Sequence, residues 1–473
     1  MATDGEPTTD VPRPPRLFDA AHRLPTTGLV LLVTLVAFEA MAVGTAMPTA
    51  VAALHGLAWY AWPFTGFLVA QVVGMVVGGD VGDRRGPRAA LLGGVAVFAA
   101  GLLVAGAAPD MAVFVAGRLV QGLGAGAISV SLYVVAGQAY GAGLRPRLFG
   151  AISAAWVVPA LVGPVVAGAV TASAGWRWVF LGLLPLIGAG LALLLPAVRH
   201  LGGPAQAGEP ARGRRWWAVL AGLGIGALQY AGQLLDLVAV PVALAGAAAL
   251  VLGLRPLLPP GTARAARGLP TVVAARGLLA GAFFAGDALV PLTLTQVHRF
   301  SPTAAGLPLT AGALGWALAS QLQGRRPEAS RVLLLRAGFV LLAVGLAATA
   351  LTALPGGGWI PYLSWAVAGM GMGLGMPSVG VLLLDQSPEH RRGADSAALQ
   401  IADVTGSALC IGLAGVLVAA ATSAVLALTV AFPVAYAFCT VLALLGAVVA
   451  GRAGGRPAAR PSVPGGATTL ATP

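Results

Sequence analysis

Fourteen apolar stretches, each long enough to cross a lipid bilayer, occupy most of this chain of 473 residues. A helix needs about 20 apolar residues to span the hydrocarbon core. Soluble helical proteins do not sustain such a pattern, because their helices need polar faces toward water. The sequence therefore predicts an all-α polytopic membrane protein. The predicted spans, with edges uncertain by a few residues, are 26–48, 58–78, 89–108, 111–136, 147–172, 178–197, 216–234, 238–254, 271–296, 303–323, 331–353, 361–384, 395–420 and 424–450.

The distribution of arginine predicts the orientation. All 28 basic residues are arginine. With the N-terminus placed in the cytoplasm, 25 of them fall in the gaps that face the cytoplasm, and only Arg177, Arg299 and Arg118 do not. This asymmetry is the positive-inside rule, so both termini are predicted to be cytoplasmic. A lysine-free chain rich in Ala, Gly and Arg is typical of a GC-rich bacterial genome, which predicts the bacterial inner membrane.

The same composition argues against several classes of function. A P-loop needs a lysine to reach the nucleotide phosphates, so energy for uphill transport must come from an ion gradient or a separate subunit. The net charge of +12 is spread over the loops instead of one soluble domain, which argues against nucleic acid as a partner. Cys410 and Cys439 lie within apolar spans and are predicted to pack in the core. We expect no enzyme activity, no metal site and no cofactor.

Two basic gaps divide the spans into six, two and six, and the two groups of six resemble each other over 124–168 and 373–415. Parallel six-helix repeats place a substrate site at the membrane midplane between the halves. The predicted organisation is a cytoplasmic N-terminal segment (1–24), an N-terminal six-helix bundle (25–197), a linker (198–215), an inserted helix pair (216–254), a second linker (255–270), a C-terminal six-helix bundle (271–450) and a disordered cytoplasmic tail (451–473).

The turn between the second and third spans carries the most specific motif. Its glycines permit a tight turn, and its carboxylate and arginines can form a breakable ionic lock. The spacing resembles the G-x-x-x-D-R-x-G-R-R loop of the major facilitator superfamily, which implies a cytoplasmic gate; the alternative is an ordinary basic loop. The motif residues are Gly79, Asp83, Arg84, Gly86 and Arg88.

Two further elements are similar to motifs of the same superfamily. In the fourth span, Arg118, Gln121 and Gly122 match R-x-x-q-G-x-g. The fifth span resembles the G-x8-G-x3-G-P-x2-G-G element of its exporters, with Pro159 and Ala167 departing from the pattern. This likeness favours efflux over uptake, and the alternative is generic packing of small residues. The residues that carry it are Gly150, Pro159, Gly163, Pro164 and Gly168.

The first span, from Phe38 to Thr49, and the turn from Trp176 to Phe180 resemble segments of the fourteen-helix drug:proton antiporters. In the first span Glu39 replaces the aspartate of that family. The resemblance implies the fold of the superfamily, with two six-helix pseudo-repeats plus two inserted central helices. It also implies rocker-switch alternating access.

Three acids lie well inside predicted spans: Glu39, Asp287 and Asp403. Ionisable residues in membrane spans are costly and are functional candidates by default. We predict that they couple proton flow to transport, with Glu39 as the main proton carrier and Arg118 tuning it. The alternative is that each is a structural acid paired with Arg118 or a hydroxyl group.

The predicted cavity has few polar groups, which indicates a lipophilic or amphiphilic substrate. Its candidate lining residues are Gln71, Tyr133, Trp156, Phe283 and Gln296. The sequence thus predicts proton-coupled efflux of hydrophobic compounds by a monomer whose partners are the lipid bilayer, protons and a small substrate. Two alternatives stay open: a dedicated exporter of an endogenous lipid or secondary metabolite, and a non-transporting membrane scaffold or sensor.

Overall fold

The computed structural model describes residues 17–19, 22–140, 144–199, 212–234, 237–325, 328–388, 391–422 and 427–454. These residues form fifteen α-helices and no strand. Most of the predicted N-terminal segment, first linker and C-terminal tail lies outside the described residues. The helices are α1 (Arg23–Ala53), α2 (Trp62–Arg85), α3 (Pro87–Gly106), α4 (Met111–Ala139), α5 (Arg145–Ser173), α6 (Arg177–Leu181), α7 (Leu183–Val198), α8 (Arg212–Ala231), α9 (Ala239–Leu254), α10 (Leu269–His298), α11 (Pro302–Gly324), α12 (Arg331–Ala350), α13 (Ile360–Gln386), α14 (Arg392–Thr422) and α15 (Leu428–Val449).

Within the described ranges, eleven helical stretches are long and apolar enough to cross a membrane. The prediction of an all-helical polytopic membrane protein is therefore confirmed. The apolar parts of α8 and α9, Trp216–Ala231 and Ala239–Leu254, are shorter, and α11 is not among the eleven. The count of fourteen spans thus stays a prediction. The predicted span 178–197 consists of two consecutive helices, α6 and α7, which meet at Gly182.

Glycines hold the helices of each half close together. In the N-terminal half, Gly74 of α2 and Gly126 of α4 pack so tightly that an added Cβ atom would collide with the backbone of the other helix. In the C-terminal half, Gly315 of α11 and Gly369 of α13 play the same part. Association of membrane helices relies on such close approach, because lipid provides no hydrophobic driving force between apolar helices.

The two halves, α1–α7 and α10–α15, are in contact at one end of the bundle. At this end, which we call the Tyr60 end, the Tyr60 hydroxyl donates a hydrogen bond to the carbonyl of Ala288 on α10. Gly306 of α11 packs there against Thr45 of α1. The opposite end carries the turn between α2 and α3 and is called the Gly86 end. Under the predicted orientation it faces the cytoplasm.

The inserted pair α8–α9 forms a hairpin on the outside of the two halves, against α2 and α14. Glycines also pack its two helices together, because an added Cβ on Gly224 or Gly253 would collide with the backbone of the other helix. The hairpin therefore contacts one helix from each half.

Candidate functional site

A cavity of about 490 Å³ lies between the two halves. It is lined by helices α1, α2, α4 and α5 on one side and by α10, α11, α13 and α14 on the other. Its wall runs from the middle of the bundle into the half nearer the Gly86 end, where α1 contributes Val33 and α5 contributes Ile152. Most lining side chains are apolar. The polar ones are Gln71, Arg118, Ser129, Arg276, Asp287, Gln400, Asp403 and Ser407.

The predicted acid of α1 is buried beside the predicted arginine of α4. Glu39 is 1% exposed and Arg118 is 2% exposed. The Arg118 guanidinium donates a hydrogen bond to Glu39 Oε1 and forms an ion pair with it. Charges removed from water need such a partner, because an unpaired buried charge is strongly destabilising. The sequence prediction named both residues, and the fold brings them into contact across 79 positions of the chain.

Arg118 also makes the contacts that fix its position. Its Nη1 donates to Gln121 Oε1 at 2.7 Å, and its Nε donates to the Pro63 carbonyl at 3.2 Å. The guanidinium carbon lies 4.4 Å from the centre of the Phe67 ring, a distance suited to a cation–π contact. Arg118 lines the cavity, whereas Glu39 lies behind it. Of the two partners, the arginine is thus the one that contacts the cavity.

One oxygen of this buried carboxylate remains open to a new bond. Glu39 Oε2 and Gln121 Nε2 have no hydrogen-bond partner among the described residues. A buried polar atom without a partner costs free energy, and such atoms are few in folded proteins. Oε2 is therefore the oxygen of this carboxyl group that the contact with Arg118 leaves without a partner among the described residues.

Asp287 of α10 differs from Glu39 in both exposure and partner. It lines the cavity directly. Its Oδ1 accepts a hydrogen bond from the indole Nε1 of Trp365 at 3.0 Å. Within the described ranges, no ion pair shorter than 4.0 Å involves Asp287. Among the described residues, the Asp287 side chain thus has a neutral hydrogen-bond donor but no cationic side-chain partner.

The third predicted acid, Asp403 of α14, forms a pair with Arg276 of α10. Arg276 Nε lies 3.0 Å from Asp403 Oδ1, and Nη2 donates to Oδ2 at 3.0 Å. Both side chains are 21% exposed and line the cavity. Arg276 was not predicted as a site residue, since the sequence analysis counted it with the cytoplasmic arginines. Its place inside the predicted span 271–296 was the signal that could have identified it.

Of the five predicted lining residues, two are found in the cavity wall. Gln71 and Trp156 line the cavity. Phe283 does not, because it is buried behind the wall with its ring stacked 5.2 Å from that of Trp365. Gln296 lies outside the lining near the end of α10, at the Tyr60 end. The side chain of Tyr133 lies outside the described residues.

The motif at the Gly86 end forms a tight turn, but its ionic contact differs from the one predicted. Gly86 has φ 86° and ψ 160°, which only glycine adopts readily. Arg84 pairs with Asp80, with 2.8 Å between Nη2 and Oδ1, whereas Asp83 is exposed. One helical turn separates Asp80 from Arg84, so that pair forms within α2. Gly79 has open space around it, and Arg88 is exposed at the start of α3.

The small residues of α4 and α5 lie at helix crossings. An added Cβ on Gly122 would collide with the Phe67 carbonyl of α2. On α5, Gly163 faces Met41 of α1, and a Cβ on Gly168 would lie 2.6 Å from Cα of Thr303 on α11. The carbonyl of Pro164 lies against Gly306 of the same helix α11, and Pro159 is buried. The side-chain position of Gly150 lies outside the described residues. The α5 element therefore joins the two halves at the Tyr60 end.

Comparison with protein families and comparison with curated relatives point to the same family. Residues 29–409 match the family model described as Major Facilitator Superfamily. A probable multidrug-efflux transporter of Mycobacterium tuberculosis is 30% identical over 393 residues, which cover 79% of this chain and 82% of that protein. The MFS-type transporter of the acurin A biosynthesis cluster of Aspergillus aculeatus is 32% identical over 163 residues, 34% of this chain and 29% of that one.

Solved structures share the fold at low sequence identity. A POT family transporter in complex with a thioalcohol-conjugated peptide aligns with a TM-score of 0.68 at 13% identity, over 93% of this chain and 99% of that one. A D-xylose–proton symporter aligns with a TM-score of 0.62 at 18% identity, over 90% and 96% of the two chains.

Proposed function

Because this chain belongs to the major facilitator superfamily and is a membrane transport protein, we propose that it exports hydrophobic or amphiphilic compounds in exchange for protons. The observation that carries this proposal is the buried Glu39–Arg118 pair at the wall of the central cavity. The proposal requires the bilayer, a small substrate and a proton gradient, with a monomer as the working unit and no metal or cofactor.

The proposed proton step changes the ion pair between Glu39 and Arg118. Uptake of a proton at Glu39 Oε2 neutralises the carboxyl group and weakens its attraction for the guanidinium. Arg118 stays charged, because an arginine side chain keeps its proton in proteins. Its positive charge at the cavity wall is then no longer balanced, which disfavours a cationic substrate in the same cavity. Proton binding at Glu39 and cation binding in the cavity would thus exclude each other, as exchange requires.

The arrangement of the halves supports alternating access. The contacts between them described above, Tyr60 with Ala288 and Gly306 with Thr45, lie at the Tyr60 end, while the cavity extends toward the Gly86 end. Asp83 is exposed in this state. We propose that Asp83 and the neighbouring arginines make their locking contacts when the Gly86 ends approach each other in the opposite state.

The charges of the cavity favour lipophilic cations among amphiphilic compounds. Arg118 is paired with Glu39 and Arg276 with Asp403, which leaves Asp287 as the acid of the described lining that has no cationic partner. Phe67, Trp156 and Phe284 add aromatic surface to the same wall. A cation gains from both carboxylate and aromatic faces. A dedicated exporter of a secondary metabolite is the second candidate, which the similarity to the acurin A cluster transporter favours.

The test is efflux of a lipophilic cationic dye from proteoliposomes under an imposed proton gradient. Wild-type protein should drive transport that a protonophore abolishes. Glu39→Gln keeps an oxygen for Arg118 and should lose gradient-driven transport while it still binds the dye. Wild-type coupling in Glu39→Gln would rule out Glu39 as the proton site. Absence of dye transport in both proteins would favour a dedicated lipid or metabolite cargo.

A further inference from the structure

The same series of glycine contacts recurs in both halves and puts their helices in register. On α4, Gly122 packs against the carbonyl of Phe67 on α2, and on α13, Gly369 packs in the same way against the carbonyl of Gly312 on α11. Further glycines of α4 and α13 repeat this relation with the backbones of the matching helices. These contacts are Gly126 with Gln71, Gly373 with Trp316, Gly124 with Phe98 and Gly371 with Leu342.

This register matches Arg118 of α4 with Trp365 of α13. Each stands four positions before the first glycine of its series. Each also donates a hydrogen bond to an acid on the first helix of its own half, Arg118 to Glu39 and Trp365 to Asp287. The two contacts span nearly the same length of chain, 79 and 78 positions. The Asp287–Trp365 contact is therefore the repeat counterpart of the Glu39–Arg118 ion pair, with a neutral indole in place of the guanidinium.

The space around each donor suits its chemistry. The ring of Phe67 lies 4.4 Å from the guanidinium carbon of Arg118. The matching position on α11 is Gly312, where an added Cβ would lie 2.6 Å from Cδ1 of the Trp365 indole. The C-terminal half thus has a glycine where the N-terminal half has the aromatic partner of its arginine, and this glycine leaves room for the larger indole.

Trp365 is fixed in that space. Its side chain is fully buried, and its ring stacks on that of Phe283 with 5.2 Å between the ring centres. On α10, a Cβ added to Gly286 would lie 2.6 Å from Cη2 of the indole. Close-packed interiors hold large side chains in one rotamer. The indole N–H therefore keeps Asp287 Oδ1 at a constant position.

The two pairs present opposite members to the cavity. Arg118 lines it and Glu39 does not, whereas Asp287 lines it and Trp365 does not. In the first pair the charges of the two partners compensate each other. In the second pair the indole supplies a hydrogen bond but no charge, so the carboxylate of Asp287 keeps its attraction for a cation in the cavity.

We propose that Trp365 determines the specificity of the cavity for organic cations, because it fixes the position of Asp287 without compensating its charge. A cationic ligand at Asp287 then takes the place that a guanidinium takes at Glu39. Trp365 is a positioning residue, since it contacts Asp287 and does not line the cavity. This inference rests on the proposed function for the class of substrate, whereas the match between Trp365 and Arg118 can be tested without any ligand.

The first experiment compares two polar substitutions that differ in charge. Trp365→Arg places a guanidinium at the repeat position of Arg118, and Trp365→Gln places a neutral hydrogen-bond donor there. Both lose the packing of the indole, so their comparison isolates the charge. Equilibrium binding to the purified protein is measured for tetraphenylphosphonium and for uncharged triphenylphosphine oxide. Trp365→Arg should reduce the preference for the cation about tenfold, and Trp365→Gln should retain most of it.

An equal loss of preference in both variants would overturn the inference, because it would show that only the packing of the indole matters. A wild type without any preference for the cation would instead contradict the proposed substrate class. Both variants are first checked for a monodisperse elution profile. If Trp365→Arg does not fold, Trp365→Lys and Trp365→Met provide the same comparison with more flexible side chains.

The second experiment needs no ligand and measures the apparent Tm of single and double variants. Asp287→Asn alone removes a carboxylate that has no cationic partner and should leave the Tm unchanged or raise it. Combined with Trp365→Arg, the same change leaves a buried guanidinium without its partner and should lower the Tm below that of Trp365→Arg. A fall of equal size in both backgrounds would show that position 365 does not pair with Asp287 as Arg118 pairs with Glu39, and would overturn the inference.

Discussion

Arg118 lines the central cavity whereas its ion-pair partner Glu39 does not, so the cavity contacts the arginine and not the acid. The Glu39–Arg118 ion pair also links α1 to α4 in the middle of the N-terminal half. The contribution of the pair to stability and its proposed role in coupling can be measured separately with paired substitutions.

Arg118→Ala should destabilise the protein by about 3–5 kcal/mol, because it leaves Glu39 charged, buried and unpaired. Adding Glu39→Gln to Arg118→Ala removes that charge and should recover much of the lost stability. The measurement is the apparent Tm of the purified protein in detergent for both variants and the wild type. A double variant no more stable than Arg118→Ala would show that the arginine stabilises the fold through its other contacts.

Asp287→Asn should weaken binding of cationic substrates about tenfold, equivalent to ~1.4 kcal/mol, because it removes the one acid of the described lining that has no arginine partner and can therefore pair with a cationic substrate. The Trp365 indole can still donate to the amide oxygen, so the local packing should persist. Equilibrium binding of a cationic dye and of a neutral analogue measures the effect. Equal weakening for both ligands would contradict a charge-based role.

Exchanging Arg276 and Asp403 with each other should reduce transport less than changing either residue alone. Arg276→Asp or Asp403→Arg alone replaces the ion pair at the cavity wall with two like charges and should reduce transport at least tenfold, or ~1.4 kcal/mol. The double exchange restores an ion pair and should recover part of the rate. Initial transport rates of the three variants, normalised to the amount of reconstituted protein, test this. No recovery would show that the positions of the charges matter individually.

Gly168→Val should prevent the Tyr60 end from closing as it does here, because even a Cβ at this position would lie 2.6 Å from Cα of Thr303. The matched control is Gly188→Val on α7, where an added Cβ meets nothing within 4 Å. Labelling of Thr45→Cys by a water-soluble thiol reagent measures the opening. Faster labelling is expected with Gly168→Val and not with Gly188→Val. Similar rates in both would show that the crossing adjusts by moving α11.

Gly86→Ala should cost about 1–3 kcal/mol of stability, because the backbone there adopts φ 86° and ψ 160°, a region that is essentially restricted to glycine. Gly79→Ala serves as control, since Gly79 lies within α2 with open space around it and alanine favours helix. The apparent Tm should fall in the first variant and remain or rise in the second. A fall in both would indicate that Gly79 is packed in another state of the transporter.

The sequence alone predicted the membrane fold and most of the charged residues at or beside the central cavity. Family membership and an all-helical membrane architecture were predicted from motifs and apolar runs, and both are confirmed. The sequence analysis missed Arg276, because it assigned each arginine to the nearest loop and did not consider which face of a helix the side chain occupies. Phe283 was assigned to the cavity because aromatic residues on a helix look alike in sequence, whether they line a wall or support it.

From the sequence alone, the apolar helices of a multi-pass membrane protein and most of the ionisable residues inside them could be predicted. Both follow from the cost of placing polar groups in hydrocarbon, which is a local property of each segment. The choice of ion-pair partners, Glu39 with Arg118 and Arg276 with Asp403, and the packing of α8–α9 against α2 and α14 followed only from the fold. These outcomes depend on contacts between helices far apart in the chain, which apolar periodicity does not encode.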